Sequence, residues 1–308
     1  MIKETLTKIA KVIPEDRLLV DEPMSRHTSF RIGGPAAALV IAENEEELGA
    51  VLRICTEDAA EHLIIGNGSN FLVSDEGYPG IMTKLGGDFD SIRQDPEDEC
   101  KVIVGTARLL SSTSAFLTEQ GLSGFEFASG IPGSIGGAVF MNAGAYGGEM
   151  KDVVRSVRVM RPDGSEIKEV AGDKMEFSYR HSVLEDNGWL ALAAVLELTK
   201  DDPKAISARV AELQAKRNAK QPVNYPSAGS TFKRPKVGYA AALIDEAGLK
   251  GYRVGGAMVS EKHAGFVINA GGATAEDVLA VMRHIRSEVY KNSGTMLEPE
   301  VRLINCSL

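Results

Sequence analysis

Apolar positions in the first third of the chain follow first a strand pattern and then a helical one. Asn44 stands three residues before Glu47, which is the spacing of a helix capping box. The apolar positions that follow recur with the helical period and are Leu48, Val51, Leu52 and Cys55. Buried-strand runs at 36–41 and 62–65 flank this helix, so we predict a β-α-β unit, a crossover that implies parallel strands.

Short apolar runs separated by turn residues cover the rest of the chain. Further strands are predicted at 71–73, 81–85, 89–93, 101–107, 153–160, 166–170, 189–199, 263–270 and 300–305. The turn residues 161–164 (RPDG) predict that 153–160 and 166–170 form a hairpin. Further helices are predicted within 1–20 and at 112–120, from 203 onward, at 239–247 and at 274–290, and Thr274 is the expected N-cap of the last one. The composition changes at 200–203, which we take as a domain boundary.

The segment 128–149 is apolar and contains seven glycines, a density that a solvated linker does not explain. Dense glycine marks positive φ or close approach of the backbone to a neighbour. Pro132 and the Gly133–Ser134 pair are typical of a turn that opens a short helix, whose first N–H groups form an anion site. Two interpretations stay open, a loop along a diphosphate and a tight structural turn.

A second glycine loop, 66–70, directly follows the predicted strand 62–65. It begins like a dinucleotide-binding G-x-G-x-x-G motif, but Phe71 replaces the third glycine and 71–73 has a strand pattern. The Rossmann interpretation therefore fails on structural context. The loop can still cradle a phosphate through its backbone N–H groups, and a plain β-turn is the alternative.

Composition narrows the function classes. The chain has 308 residues, enough for two or three domains, and its net charge of −9 disfavours nucleic acid and anionic membranes as partners. Small anionic ligands remain possible because a few local cations suffice to bind them. The odd number of cysteines excludes a full disulfide framework, and no signal or membrane-spanning run is present, so we expect a cytoplasmic protein. The scattered histidines have no metal-ligand spacing, and no nucleophile elbow occurs.

Three polar residues stand out by their surroundings. Arg180 lies at the edge of an apolar segment, Ser230 lies in a turn among prolines, and Glu300 begins a predicted strand. Taken singly, they also fit a salt-bridge arginine, a turn serine and a solvated glutamate. Residue-level reasoning alone does not connect them.

The chain resembles the UDP-N-acetylenolpyruvoylglucosamine reductases over nearly its whole length. The segments that carry the resemblance are 28–34 (TSFRIGG), 66–70 (GNGSN), 130–137 (GIPGSIGG), 141–145 (MNAGA), 179–182 (YRHS), 228–233 (AGSTFK) and 298–301 (EPEV). The resemblance implies an α+β fold, with a vanillyl-alcohol-oxidase (PCMH-type) FAD-binding domain of two α+β subdomains and a C-terminal α+β substrate domain. We place an N-terminal helix and connector at 1–30, the FAD-binding domain at 31–200 and the substrate domain at 201–308. No counterpart of the extra tyrosine-bearing loop of some members is evident, so the chain resembles the shorter subtype.

The resemblance also implies a reaction in peptidoglycan precursor synthesis. NADPH reduces non-covalently bound FAD, and the flavin then reduces an enolpyruvyl ether of UDP-N-acetylglucosamine to a lactyl ether. By resemblance Ser230 donates the proton, while Arg180 and Glu300 stabilise the anionic intermediate. A guanidinium suits a carboxylate because its charge is permanent and its donors are forked. Beside a substrate carboxylate, Glu300 is expected to be protonated and to donate a hydrogen bond.

Binding residues are assigned from the same resemblance and from the glycine loops. The expected cofactor-binding residues are Gly66, Asn67, Gly68, Ser69, Asn70, Gly130, Pro132, Gly133, Ser134, Gly136, Gly137, Asn142, Gly144 and Ala145. Candidate substrate cations are Arg217, Lys233 and Arg234, and His27 is the one plausible covalent tether for a flavin. A flavin oxidase on the same scaffold and a nucleotide-sugar binding protein without redox activity are the alternative functions.

Overall fold

The computed structural model describes residues 2–308 and contains both helices and short strands. The helices are α1 (Ile2–Ile9), α2 (Glu45–Glu57), α3 (Leu110–Glu119), α4 (Ile135–Phe140), α5 (Val183–Asn187), α6 (Pro203–Lys220), α7 (Ala240–Glu246) and α8 (Ala275–Ser293). The fold class is α+β, as expected.

The strands are short, and few exceed five residues. They are β1 (Leu18–Pro23), β2 (Pro35–Ala42), β3 (His62–Ile65), β4 (Phe71–Val73), β5 (Tyr78–Leu85), β6 (Ile92–Gln94), β7 (Lys101–Gly105), β8 (Leu122–Ser123), β9 (Gly144–Ala145), β10 (Gly148–Glu149), β11 (Val154–Met160), β12 (Ile167–Ala171), β13 (Leu190–Glu197), β14 (Thr199–Lys200), β15 (Arg253–Val254), β16 (Ala257–Val259), β17 (Val267–Asn269) and β18 (Arg302–Ile304).

The chain divides into two compact units that do not follow chain order. The first unit comprises 1–20, 38–67 and 80–217, and the second comprises 21–37, 68–79 and 218–308. The sequence-based domain boundaries instead cut the chain into consecutive pieces, and they stay a prediction.

Besides the two-stranded pairs β10-β9 and β14-β8, the first unit contains two larger sheets. One has strand order β1-β2-β5-β3, with β3 parallel to β5, and the other has order β12-β11-β13-β7-β6 with antiparallel neighbours. The predicted β-α-β segments β2 and β3 share the first sheet, but β5 lies between them. A large apolar core joins the second sheet to α3 and α4, and it includes Val104, Leu117, Ile135, Val139 and Val157.

The second unit is built around α8, whose apolar face packs with the three-stranded sheet β15-β16-β17. Thr274 is the N-cap of α8, as predicted, and the structure shows that it forms a reciprocal capping box with Asp277. β18 pairs in parallel with β4, and Arg302 lies opposite Phe71. This pairing joins the chain end to the segment after the second glycine loop.

Most predicted elements are confirmed, including the hairpin of β11 and β12 and the Asn44 cap of α2, where Asn44 Oδ1 accepts the Glu47 N–H at 2.9 Å. The predicted strand 89–93 is wrong in its first half. Gly87 adopts φ +53 and opens a 3₁₀ turn, Gly87–Asp90, so only Ile92–Gln94 extends into a strand. The predicted strand 263–270 is shorter than expected and is confined to Val267–Asn269.

Candidate functional site

The glycine-rich segment 128–149 leads into α4, as its turn residues predict. Ser134 is the N-cap of α4, and Gly133 before it has φ +148. The N–H groups of Ile135 and Gly136 donate to the carbonyl oxygens of Arg108 (2.9 Å) and Thr106 (2.9 Å). The expectation that the first N–H groups of this helix are free is therefore wrong for these two residues.

The hydroxyl of Ser134 is buried and has no hydrogen-bond partner among the described residues. An N-cap serine ordinarily accepts a backbone N–H of the first turn, and Ser134 makes no such bond. A Cβ placed on Gly66 would lie 2.8 Å from Ser134 Oγ, so the first residue of the second glycine loop faces this hydroxyl. Within the first unit, the two sequence-predicted phosphate loops thus meet at one point.

This meeting point fits a bound anion. A buried hydroxyl without a partner is costly, because its desolvation is not compensated by a hydrogen bond. Open space lies where Gly137 would carry a Cβ. The unpartnered hydroxyl and the glycine surfaces suit one diphosphate oxygen, so the residues present fit an FAD diphosphate.

The second glycine loop continues into the second unit at Gly68, where glycine is required. Gly68 has φ +61, and a Cβ there would lie 2.1 Å from the His27 carbonyl oxygen. Asn70 Nδ2 donates to the Glu300 carbonyl oxygen at 3.1 Å, and the Asn70 carbonyl accepts the Arg302 N–H at 2.9 Å. Asn70 therefore holds the backbone of a predicted catalytic residue.

Ser230 and Glu300 are neighbours in the second unit, and Thr231 explains why. Thr231 is 2% exposed; its N–H donates to Gly265, its hydroxyl accepts the Val267 N–H, and its carbonyl accepts the Glu300 N–H at 2.9 Å. The bridge between Phe232 and Pro299 continues this alignment. The Ser230 turn and the Glu300 segment are thereby fixed side by side, and the catalytic roles of the two residues stay a prediction.

Arg180 lies at the tip of a tight turn in the first unit. Ser178 and His181 form an antiparallel bridge, and Arg180 adopts φ +56, which is uncommon for a residue with a side chain. Its guanidinium carbon lies 5.1 Å from the centre of the Tyr179 ring. His181 contacts Glu185 and Asp186 on α5, and the hydrogen bond to Glu185 raises the His181 pKa.

The three candidate substrate cations do not share one unit. Arg217 lies against the glycine-rich segment, because a Cβ on Gly130 would come within 3.1 Å of its Cδ. Burial lowers the Arg217 pKa, and no acidic side chain among residues 2–308 forms an ion pair with it. Lys233 and Arg234 belong to the second unit, where Arg234 stacks over Tyr239 at 4.3 Å.

The remaining predicted residues have structural contacts of their own. Gly144 and Ala145 form β9, which pairs with β10. The Asn142 amide donates to the Glu149 carboxylate and to the Ser178 carbonyl, and it accepts the Lys151 N–H. The His27 ring nitrogen contacts Glu22 at 2.9 Å, and no metal-binding cluster occurs in the described part of the chain. The roles of Thr231 and Asn142 were missed from sequence, because both depend on contacts that only the fold creates.

Comparison with known proteins identifies both parts of the chain. Residues 36–169 match the model of an FAD binding domain, and residues 221–304 match the C-terminal domain of UDP-N-acetylenolpyruvoylglucosamine reductase. The first match contains the glycine loops, and the second contains Ser230 and Glu300.

Full-length relatives carry the same name. The UDP-N-acetylenolpyruvoylglucosamine reductase of Clostridioides difficile is 47% identical over 96% of this chain and 96% of its own. That of Caldanaerobacter subterraneus is 43% identical over 99% of each chain. The crystal structure of the reductase from Thermus caldophilus superposes with a TM-score of 0.80 at 36% identity, covering 92% of this chain and 97% of that one. The chain therefore belongs to the UDP-N-acetylenolpyruvoylglucosamine reductase family.

Proposed function

We propose that this protein reduces UDP-N-acetyl-3-O-(1-carboxyvinyl)-glucosamine to UDP-N-acetylmuramate with NADPH, a step of peptidoglycan precursor synthesis in the cytoplasm. Membership of the reductase family and the FAD binding domain support the reaction. The assignment to this site is carried by one observation, the hydrogen bond from the Glu300 N–H to the Thr231 carbonyl, which we call the Thr231 clamp. It holds the backbone next to Ser230 beside that of Glu300, in the part of the chain that matches the family's C-terminal domain.

The first unit supplies the cofactor-binding residues. The Ser134 hydroxyl and the glycine surfaces at Gly66 and Gly137 would hold the FAD diphosphate. Arg217 was predicted as a substrate cation, but because it lies beside Gly130 we assign it instead to balancing the diphosphate charge. Bound FAD supplies the two-electron chemistry, since it accepts hydride from NADPH and delivers it to the vinyl carbon. A guanidinium that is partly desolvated and lacks a carboxylate partner among the described residues binds an anion more strongly than a solvated one.

The predicted catalytic residues act on the substrate. Hydride addition to the terminal vinyl carbon leaves negative charge on the neighbouring carbon and its carboxylate. Arg180 stabilises this charge as a permanent cation, and a protonated Glu300 donates a hydrogen bond to it. Ser230 then transfers its hydroxyl proton to the carbon, which is strongly basic at that moment and can therefore take a proton from so weak an acid. Lys233 and Arg234 are proposed to contact the UDP moiety.

The proposed function is tested by anaerobic mixing of the NADPH-reduced protein with the enolpyruvyl substrate while the flavin absorbance is followed. We expect the oxidised flavin spectrum to return and UDP-N-acetylmuramate to form in equal amount. A flavin that stays reduced until oxygen is admitted would support an oxidase instead. A purified protein without flavin would support a nucleotide-sugar binding protein.

A further inference from the structure

Asn142 is the most completely engaged polar side chain of the glycine-rich segment. It is 1% exposed and adopts φ +44. Its Nδ2 donates to Glu149 Oε2 (2.9 Å) and to the Ser178 carbonyl (2.9 Å), and its Oδ1 accepts the Lys151 N–H (2.9 Å). Both amide protons and the amide oxygen are thus occupied by protein groups, which leaves this amide little capacity to bind a cofactor.

The Ser178 carbonyl is the contact with a functional consequence. Ser178 precedes Tyr179 and Arg180 in the turn, and its pairing with His181 closes that turn through hydrogen bonds of 3.1 and 3.3 Å. The next residue, Ser182, is fully buried and donates its hydroxyl to the Phe140 carbonyl at 2.6 Å. The Arg180 turn is therefore tied at both ends to the end of α4 and the residues that follow it.

We propose that Asn142 is a positioning residue for Arg180, because its amide fixes the turn that presents the guanidinium to the substrate. This inference rests on the proposed function of Arg180 in stabilising the anionic intermediate. A left-handed conformation at a residue with a side chain costs free energy and persists only where surrounding contacts hold it. The Asn142 amide and the Ser182 hydroxyl are contacts of this kind.

A neutral amide is suited to this position because the surrounding groups are charged. Glu149 accepts one amide proton, Lys151 and Asp152 contact Glu149, and Arg180 interacts electrostatically with it. The ion pair with Lys151 and the hydrogen bond from Asn142 lower the Glu149 pKa, so Glu149 is an anion at neutral pH. A carboxylate in place of the amide would repel both Glu149 and the Ser178 carbonyl.

The test uses the FAD-loaded full-length Asn142→Asp variant and separates the two half-reactions. We expect flavin reduction by NADPH to stay within about twofold of wild type and flavin reoxidation by the enolpyruvyl substrate to slow by about 10- to 100-fold, since each tenfold change corresponds to about 1.4 kcal/mol of transition-state stabilisation. Equal slowing of both half-reactions, or loss of FAD affinity with normal reoxidation, would overturn the proposal and favour a cofactor-binding role.

A pH profile adds a readout that general destabilisation does not produce. The introduced carboxyl can donate one hydrogen bond to the Ser178 carbonyl only when it is protonated, so the reoxidation rate of Asn142→Asp should recover toward wild type as the pH falls. The charged groups facing this position are Glu149, Lys151, Asp152 and Arg180. A rate ratio of variant to wild type that stays constant with pH contradicts the proposal.

Thr83→Val is the matched control in the same unit. Thr83 is fully buried, and its hydroxyl pairs with the His62 ring at 2.9 Å, so the variant loses a buried hydrogen bond far along the sequence from the Arg180 turn. We expect a lower melting temperature with both half-reactions unchanged. If Asn142→Asp behaves like Thr83→Val, Asn142 has only a structural role and the proposal is wrong.

If the NADPH-reduced wild-type protein itself is not reoxidised by the substrate, the proposed function fails and this inference with it.

Discussion

Thr231 fixes the backbone next to Ser230, the proposed proton donor. Every polar group of Thr231 is used within the second unit, and its carbonyl accepts the Glu300 N–H. Ser230, next in the chain, is exposed and follows Gly229, whose φ is +76. A rigid buried residue therefore holds a small exposed one, which is the arrangement that a proton donor requires.

Replacing Ser230 by alanine separates proton transfer from hydride acceptance. We expect Ser230→Ala to be reduced by NADPH at the wild-type rate, while reoxidation by the enolpyruvyl substrate slows by at least about 100-fold, the lower end of the contribution of one general acid. Stopped-flow absorbance of the flavin measures both rates. Equal loss in both half-reactions would show a folding or cofactor defect and would remove Ser230 from the chemistry.

The protonation state of Glu300 can be read from two substitutions. If the glutamic acid donates a hydrogen bond as a neutral group, Glu300→Gln keeps a neutral donor in place, whereas Glu300→Asp shortens the side chain and favours the anion. We expect the glutamine variant to retain more turnover than the aspartate variant, by about tenfold, which corresponds to one hydrogen bond. Steady-state turnover under saturating NADPH measures the ranking, and the reverse order would mean that Glu300 acts as a carboxylate.

Among the elements, α4 is unusual because its N-cap residue leaves its hydroxyl without a protein partner in the described chain. Substitution of an ordinary N-cap serine destabilises a protein, since a helix N–H loses its acceptor. Ser134 has no such bond to lose. Its function is therefore expected to depend on the ligand.

The Ser134→Ala variant should lose cofactor affinity without losing stability. A hydrogen bond to a charged group contributes about 1.5–3 kcal/mol, so we expect FAD to bind roughly 10- to 100-fold more weakly while the melting temperature of the flavin-free protein is unchanged. Flavin fluorescence titration measures the affinity.

In the control Thr113→Val, a buried hydroxyl that donates to the Leu109 carbonyl is removed, and stability should fall while FAD affinity is kept. An unchanged affinity in Ser134→Ala would exclude the hydroxyl from the cofactor site.

Local sequence signals predicted the elements whose stability is local. The Asn44 cap, the Thr274 cap and the turn between β11 and β12 were found because capping and turn residues act within a few positions. The strand predicted at 89–93 failed because Gly87 diverts the chain into a 3₁₀ turn, a local conflict that the apolar pattern did not reveal.

The site could be predicted only in pieces from the residues themselves. Asn70 and Glu300 are 230 positions apart, and their contact depends on the parallel pairing of β4 with β18. No periodicity in either segment encodes that partner. The resemblance to a family supplied the link between Ser230 and Glu300, whereas the clamp by Thr231 and the engagement of Asn142 emerged only from the folded chain.

On the scale of the whole molecule, the protein meets anionic ligands although it carries a net charge of −9. In the proposed site of the first unit, the groups available for this are a buried hydroxyl, glycine surfaces and one partly desolvated arginine. Its three cysteines are free, and none of its described helices is long and apolar enough to cross a membrane.

Stability should depend on pH through histidines whose pKa values shift in opposite directions on folding, since that of His181 is raised and those of His62 and His263 are lowered. The hydrogen bond to Glu185 raises the His181 pKa, so His181 stabilises the folded protein below its ordinary value of 6.5 and this contribution disappears as the pH rises through the folded value. Burial lowers the His62 pKa from 6.5 to about 4, although the residue as a whole is only half-buried. The unfolded chain therefore binds a proton at His62 before the folded protein does.

His62 is accordingly predicted to weaken the fold on acidification. As the pH falls from 6.5 to about 4, the free energy of unfolding should decrease by at most about 3 kcal/mol through this residue and then level off, because below that pH both states are protonated. Urea unfolding at pH 7, 5.5 and 4 measures the decrease in wild type and in His62→Gln, which cannot titrate. Carboxylates also lose their native interactions over this range, so the difference between the two proteins isolates the histidine.

His181→Gln is the control, and in that variant the loss of stability on acidification should be larger than in wild type, since a group that favours folding at low pH has been removed. If the free energies of unfolding of wild type and His62→Gln change with pH in parallel, the His62 ring has its ordinary pKa in the folded protein, and the prediction is wrong.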